Sequence, residues 1–485
     1  MLLPATLSAR PRLDPLRIRI LYALHGEQQT VPDWPNVGFD FRPAMERFTT
    51  ELAQRCEGFE FLTAMASGPE EADRIVGDDA GVDGYVVFQM NCWNRVVQSA
   101  AATGKPVLYA DFKYAGSGGF LVYTAAFLRE GTPNVGFVAS SSIDDVVAAV
   151  RCFELVKQGG SAGDVAAAMA RLRIARTAPP SDLTGHPDRV ATLSPEECLE
   201  LMRESRILAV RDEEARSGDA IMGMPVEFIP FAEVNQAWES ADRDEARAIA
   251  DRWERTASVV DGVSRETLES SAAMYLGMKA VLARHGAKAI TINCLGGFYG
   301  GHIHAYPCLG FFELNNEGLV GGCECDLRSA STMTALTTLT QGRPGYISDP
   351  VIDTARRQII YAHCVASNRV FGPSGPVNPY EILTHSEDRQ GASVRSIMPL
   401  EYMTTTLEFF QERKEILLHQ GRAVANDPDD RACRTKLAVE PVGDIEKLFT
   451  MWDRWGWHRV TMYGDLKESL YALADAMHWT VVEEA

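Results

Sequence analysis

The residues best suited to chemistry gather between Asn293 and Asp349, with several histidines around and after that stretch. Glu324 and Asp326 stand two apart in GGCECDL. On a strand, both would face the same way. Their neighbours Gly321, Gly322, Cys323 and Cys325 are small or apolar. A carboxylate among them is costly to bury without a cation or several hydrogen-bond donors. Asp326 has a second reading, as the N-cap of a helix beginning near Ser329. Asp349 closes the strand-like GYISD just before Pro350, where an Asp-Pro pair is also an ordinary turn signal.

Histidines recur at 302, 304, 363, 385 and 458. Neutral imidazole is a common ligand for transition metals, although a single histidine is more often structural. Cys294, Cys308, Cys323, Cys325 and Cys364 lie in the same region. Their spacing does not supply the paired C-x₂₋₄-C ligands of a structural zinc site. GSGG (Gly116–Gly119) and GGFYGG (Gly296–Gly301) match neither phosphate-binding fingerprint. They read as loops whose backbone comes close to another group. There is no G-x-S-x-G elbow and no H-E-x-x-H pair.

These residues need a scaffold, and the chain offers three units. Its 485 residues suggest about three domains. In the first third, short apolar runs alternate with helix-length segments: RIRILYAL, FEFLTAMA, GYVVFQMN, PVLYAD and NVGFVAS. That alternation predicts a parallel sheet with crossover helices. Ligands in such folds sit beyond the carboxyl ends of the strands. Those ends carry His25 to Gln28, then Gln89, Asn91, Cys92 and Trp93, then Asp111, Lys113 and Tyr114. The stretch from Gly159 to Ser181 reads as a linker. A second α/β unit follows, with RILAVRD, long helical stretches and AKAITINC. From about Gly345 the runs become short and broken by Gly, Pro and polar residues, which predicts β-hairpins. The expected architecture is α/β: two Rossmann-like parallel-sheet domains at 1–175 and 176–345, then a mixed, β-barrel-like domain at 346–485. Glu324 falls in the second unit; Asp349, His363 and His458 fall in the third.

Composition narrows the function classes. Apolar residues make up 46% of the chain, and the formal charge is 47 − 66 = −19. So acidic a chain is repelled by nucleic acid and by anionic membranes, and neither is expected as a partner. Ten cysteines are too few for a disulfide scaffold. No run reaches the ~18 apolar residues of a membrane span, and MLLPATLSARPRLDP shows no secretory signal. The expectation is a cytoplasmic protein with free thiols.

The order of motifs carries a resemblance. Pro307-Cys308, LNNEG, CECD, STMTALTTLTQGRP, ISD, AHC, LTHSED, TTTLEFF and RWGWHRVTMYGD together resemble the L-fucose isomerase and L-arabinose isomerase superfamily. The likeness runs from about Ala287 to the end, and QMNCW adds a pocket-lining Cys-Trp segment. It implies that Glu324, Asp349 and His458 bind Mn²⁺ (Mg²⁺ or Co²⁺ being alternatives), with His363 as a further ligand. Many relatives carry two adjacent histidines where this chain has Trp457-His458. The chain is also shorter than fucose isomerases.

The implied reaction is aldose–ketose isomerisation of a small sugar through an enediol, with Glu324 and Asp349 sharing proton transfer. A divalent ion held by oxygen and imidazole ligands would offset the charge on O1 or O2. Trp93, Gln89 and His385 are the substrate-binding candidates, with Lys113 and Arg389 behind them. The resemblance further implies a homo-oligomer, trimer or hexamer, with pockets completed across subunits. Other readings are epimerisation or a lyase reaction on a modified sugar, or a non-catalytic sugar-binding protein.

Overall fold

The computed structural model describes residues 14–485. The N-terminal stretch read for a targeting signal lies mostly outside them. The first sheet contains β1 (Leu16–Ala23), β2 (Phe59–Ala66), β3 (Gly84–Gln89), β4 (Val107–Asp111) and β5 (Val135–Val138), in the order β2-β1-β3-β4-β5. Every pairing is parallel. Its central strand GYVVFQ is buried at all six positions, as a strand covered by helices on both faces must be.

The second sheet contains β6 (Arg206–Arg211), β7 (Arg216–Ile221) and β8 (Met224–Pro230). After the short β9 (Val259–Asp261), it is completed by β10 (Ala287–Ile292) and β11 (Val320–Gly322). The order is β11-β10-β6-β8-β7. It departs from the all-parallel expectation at one edge, where β7 folds back antiparallel on β8. Met222 and Gly223, both with positive φ, make that turn.

The last unit is a barrel, as its hairpin pattern predicted. Its strands are β12 (Tyr346–Asp353), β13 (Gln358–His363), β16 (Met403–Phe410), β17 (Glu415–Asn426), β18 (Thr435–Pro441) and β19 (Arg459–Tyr463). They close antiparallel as β16-β19-β12-β13-β18-β17, with β17 pairing again with β16. Between them β14 (Tyr380–Leu383) and β15 (Ser393–Ser396) leave the barrel, and β14 pairs in parallel with β9 of the second unit. A final strand, β20 (Thr480–Glu483), adds in parallel to β17.

The stretch read as a linker is mostly helix. Ala162–Arg176 begins at a capping box in which Ser161 and Asp164 satisfy each other's backbone N–H groups. One apolar core joins the second sheet to the barrel, and another joins the first sheet to the barrel. Lys113 Nζ (3.0 Å) and the Tyr114 hydroxyl (2.7 Å) reach Asp427 at the end of β17. The carboxyl ends of the first sheet therefore face the barrel's 427–433 loop. No helix among the described residues is long and apolar enough to cross a membrane.

Candidate active site

Glu324 lies just beyond the carboxyl end of β11, where ligands collect in open α/β sheets. It is not on a strand. β11 stops at Gly322, and Glu324 and Cys325 both take left-handed backbone angles, φ 64° and 52°. Non-glycine residues there are strained by of order 1 kcal/mol each. The turn is held by Cys325 N donating to Ile292 O (2.9 Å) and by Arg211 Nε reaching Cys325 Sγ (3.1 Å). Glu324 and Asp326 therefore do not share a strand face. Asp326 caps the helix Leu327–Leu339, its Oδ1 accepting from the N–H groups of Arg328 and Ser329.

The barrel brings three more residues to Glu324. Asp349 stands on β12 opposite Ala362 of β13, one residue before His363. His458 immediately precedes β19, which pairs with β12 on its other side. His363 Nε2 lies 3.6 Å from Glu324 Oε1. His458 Nε2 lies 3.5 Å from Glu324 Oε2 and 3.1 Å from Asp349 Oδ1. Donor atoms of Glu324, His363 and His458 all fall within 4.8 Å of one another, the one such group of three His, Cys, Asp or Glu residues found among the described residues.

The histidines are buried, yet both ring nitrogens of His363 and Nε2 of His458 lack an aligned hydrogen-bond partner. An unpartnered buried polar atom is costly, and a cation between these groups would satisfy Nε2 of His363 and Nε2 of His458. His458 is already oriented for that. Its Nδ1 meets Asp326 Oδ2 at 2.9 Å, which leaves Nε2 to face the carboxylates. A carboxylate behind a histidine is the usual support for a metal-binding imidazole. The donor set of two carboxylates and two imidazoles thus fits a divalent ion such as Mn²⁺.

The charged groups of the cluster act strongly on one another. Burial opposes a charged His458, yet Glu324, Asp326 and Asp349 push its pKa well above the ordinary imidazole value. Burial likewise opposes charge on Glu324, but His458 and His363 hold its pKa below the usual carboxylate value. The Glu324 side chain remains 31% exposed, so the cluster opens to solvent on that side.

The substrate-binding candidates divide. Trp93 is 52% exposed and meets Trp457, the neighbour of His458, edge to face at 6.0 Å. His385 is buried, its Nδ1 3.1 Å from Asp388 Oδ1. Burial opposes its charge, but chiefly the Asp388 hydrogen bond lifts its pKa to about 9. Gln89 does not line the cleft. Its amide donates to Asn91 O and Asn94 Oδ1 and accepts from the Tyr109 hydroxyl, all in the interior. Lys113 and Arg389 are engaged by Asp427 and Asp430. His302 stacks on Phe231 and His304 lies near Glu239, both apart from the Glu324 cluster. All ten cysteines are free.

Sequence reasoning missed two features. Asp326 was weighed as a cap and as a strand partner of Glu324, not as the support of His458. Glu387, pushed up to about 7 mainly by burial, lies near the Glu324 and Asp33 charges and accepts a hydrogen bond from Tyr299 (2.7 Å). Its only signal was its place in LTHSED.

No known protein family's sequence profile matches the chain. Among characterised proteins, it is similar to a sulfoquinovose isomerase from Clostridium sp. (strain MSTE9), 25% identical over 267 residues. That match covers 53% of this chain and 57% of the relative. A sulfoquinovose isomerase from Alkalicoccus urumqiensis is 28% identical over 21% of this chain and 23% of its own length. Another, from Priestia aryabhattai, is 27% identical over 26% and 30% respectively. The chain therefore spans little more than half of the first relative and under a third of the others. A transcriptional regulator CelR-cellobiose complex aligns at 14% identity over 58% of this chain and 68% of its own, with a TM-score of 0.17, too low to carry an argument. The low-identity relatives are sugar isomerases.

Proposed function

We propose that this chain is a divalent-metal-dependent aldose–ketose isomerase acting on a small sugar, on the plan of the L-fucose and L-arabinose isomerases. The supporting observation is the convergence of Glu324, Asp349, His363 and His458 from separate elements, with one buried, unpartnered Nε2 on each histidine turned toward the carboxylates. The relatives' shared name points the same way.

In this reading the four residues hold Mn²⁺. The ion, when bound, supplies Lewis-acid stabilisation of negative charge on the sugar's O1 or O2. Glu324, on the open side, and Asp349, beneath it, exchange the protons: one takes the carbon-bound proton and the other serves the oxygen. Asp326 keeps the His458 imidazole in a fixed orientation. Trp93 and Trp457 form an aromatic wall beside His458 against which a sugar face can pack, and His385 offers a polar contact. The working enzyme is proposed to be a homo-oligomer in the cytoplasm.

The test is a panel of aldoses, with sulfoquinovose, pentoses and 6-deoxyhexoses included, incubated with the chain and Mn²⁺ and scored for ketose. Ketose from at least one aldose is expected, and Glu324→Gln should lower that rate at least ~10³-fold while the protein stays folded. An epimer with no ketose would replace isomerisation by the epimerase reading. Unchanged activity in Glu324→Gln would remove Glu324 from the reaction.

A further inference from the structure

The backbone that carries His458 is gripped from beneath by a buried arginine. Arg459 Nη1 donates to the carbonyls of Gly456 and His458, each at 2.9 Å. Arg459 is fully buried and lies over the Trp452 ring at 3.9 Å. Its Nη2 donates to Glu484 Oε1 at 2.9 Å, and Nε lies 3.4 Å from Oε2. Glu484 directly follows β20 and is itself 1% exposed. Its Oε2 also meets His419 Nδ1 at 2.8 Å, and His419 Nε2 meets the Tyr361 hydroxyl.

A guanidinium cannot be buried here without a carboxylate to offset its charge. Glu484 is that carboxylate, which burial would push up in pKa but which Arg459 and His419 hold down at about 2. The planar fork of Arg459 is then fixed, with one edge on Glu484 and one nitrogen on two carbonyls. Those carbonyls need an outside hold. Gly456 sits at φ 81°, and a glycine's own side chain does nothing to restrict the backbone. A second arginine, Arg328, takes the Trp455 carbonyl at 2.9 Å, from the helix that Asp326 caps.

We infer that Glu484 is a positioning residue: acting through Arg459, it fixes the Gly456–His458 backbone and so aims the His458 imidazole at Glu324 and Asp349. Its effect on metal binding rests on the metal-site reading above; its effect on the backbone does not.

The experiment compares the 485-residue chain with three variants. Glu484→Gln keeps the volume and removes the charge. The double variant Arg459→Met with Glu484→Leu removes both charges and leaves neither orphaned. Tyr361→Phe loosens the far end of the same network without touching Arg459. Two quantities are read: the Kd for Mn²⁺ by calorimetry on metal-stripped protein, and amide hydrogen exchange over Trp455–His458. In Glu484→Gln the Kd is expected to rise about 10- to 100-fold, with faster exchange in that segment. The double variant should do the same, and it answers the question if Glu484→Gln does not fold. Tyr361→Phe should match wild type in both. Wild-type Kd and exchange in a folded Glu484 variant would overturn the inference. So would equal losses in Tyr361→Phe, which would mark a general loosening of the barrel. If wild type binds no Mn²⁺, the metal reading falls, and the exchange result alone decides the role of Glu484.

Discussion

At the scale of single residues, Asp326 does two jobs that can be separated. Its Oδ1 caps a helix, and its Oδ2 takes the Nδ1–H of His458. Asparagine caps helices about as well as aspartate but brings no charge to the imidazole. Asp326→Asn is therefore expected to fold normally, with a stability change under about 1 kcal/mol, and to bind Mn²⁺ at least several-fold more weakly. Calorimetry and a thermal melt check the two parts. Unchanged Mn²⁺ affinity would reduce Asp326 to a cap.

At the scale of elements, the glycine-rich stretch Gly116–Gly119 explains how the first sheet approaches the site. It opens the helix Ser117–Glu130, and it holds glycine for close packing rather than for a phosphate. A Cβ on Gly118 would lie 3.1 Å from Cys92 Sγ and 3.2 Å from Trp457 Cζ2. Gly118→Val is expected to destabilise by about 1–3 kcal/mol through overpacking. By displacing Trp457 it should also weaken Mn²⁺ binding at the adjacent His458. A melt and a titration on the same sample test both, and an unchanged titration would detach Trp457 from the site.

The sequence showed these elements unevenly. Alternating apolar runs and helical segments revealed the first sheet strand by strand, because a parallel sheet is buried on both faces. The barrel was visible as hairpins. The turn at Glu324 was not, since nothing in Cys-Glu-Cys announces two successive left-handed residues, and the preceding glycines favoured a strand. The pairing of β14 with β9 joins segments over a hundred residues apart, which no local pattern encodes. The helix Ala162–Arg176 was hidden by its Gly and Pro flanks, although Ser161 and Asp164 spelled its cap. Glu324, Asp349, His363 and His458 were singled out from motif order, and spacing alone left each as one of several candidates.

At the scale of the whole molecule, the site belongs to no single unit. Glu324 comes from the end of the second sheet, and Asp349, His363 and His458 come from the barrel. Trp93 arrives from the first sheet, and its ring meets Trp457 within the same chain. Lys113 and Tyr114 tie that sheet to Asp427, six residues before Cys433, whose thiol lies 4.0 Å from Asp349 Oδ2. Residues of the second sheet and the barrel meet at Glu324, and the proposed metal lies at that junction. Anomalous diffraction from crystals grown with Mn²⁺ tests this most directly. One strong peak per chain is expected among Glu324, Asp349, His363 and His458, absent in Glu324→Gln. No peak there, or a peak that survives Glu324→Gln, would contradict it.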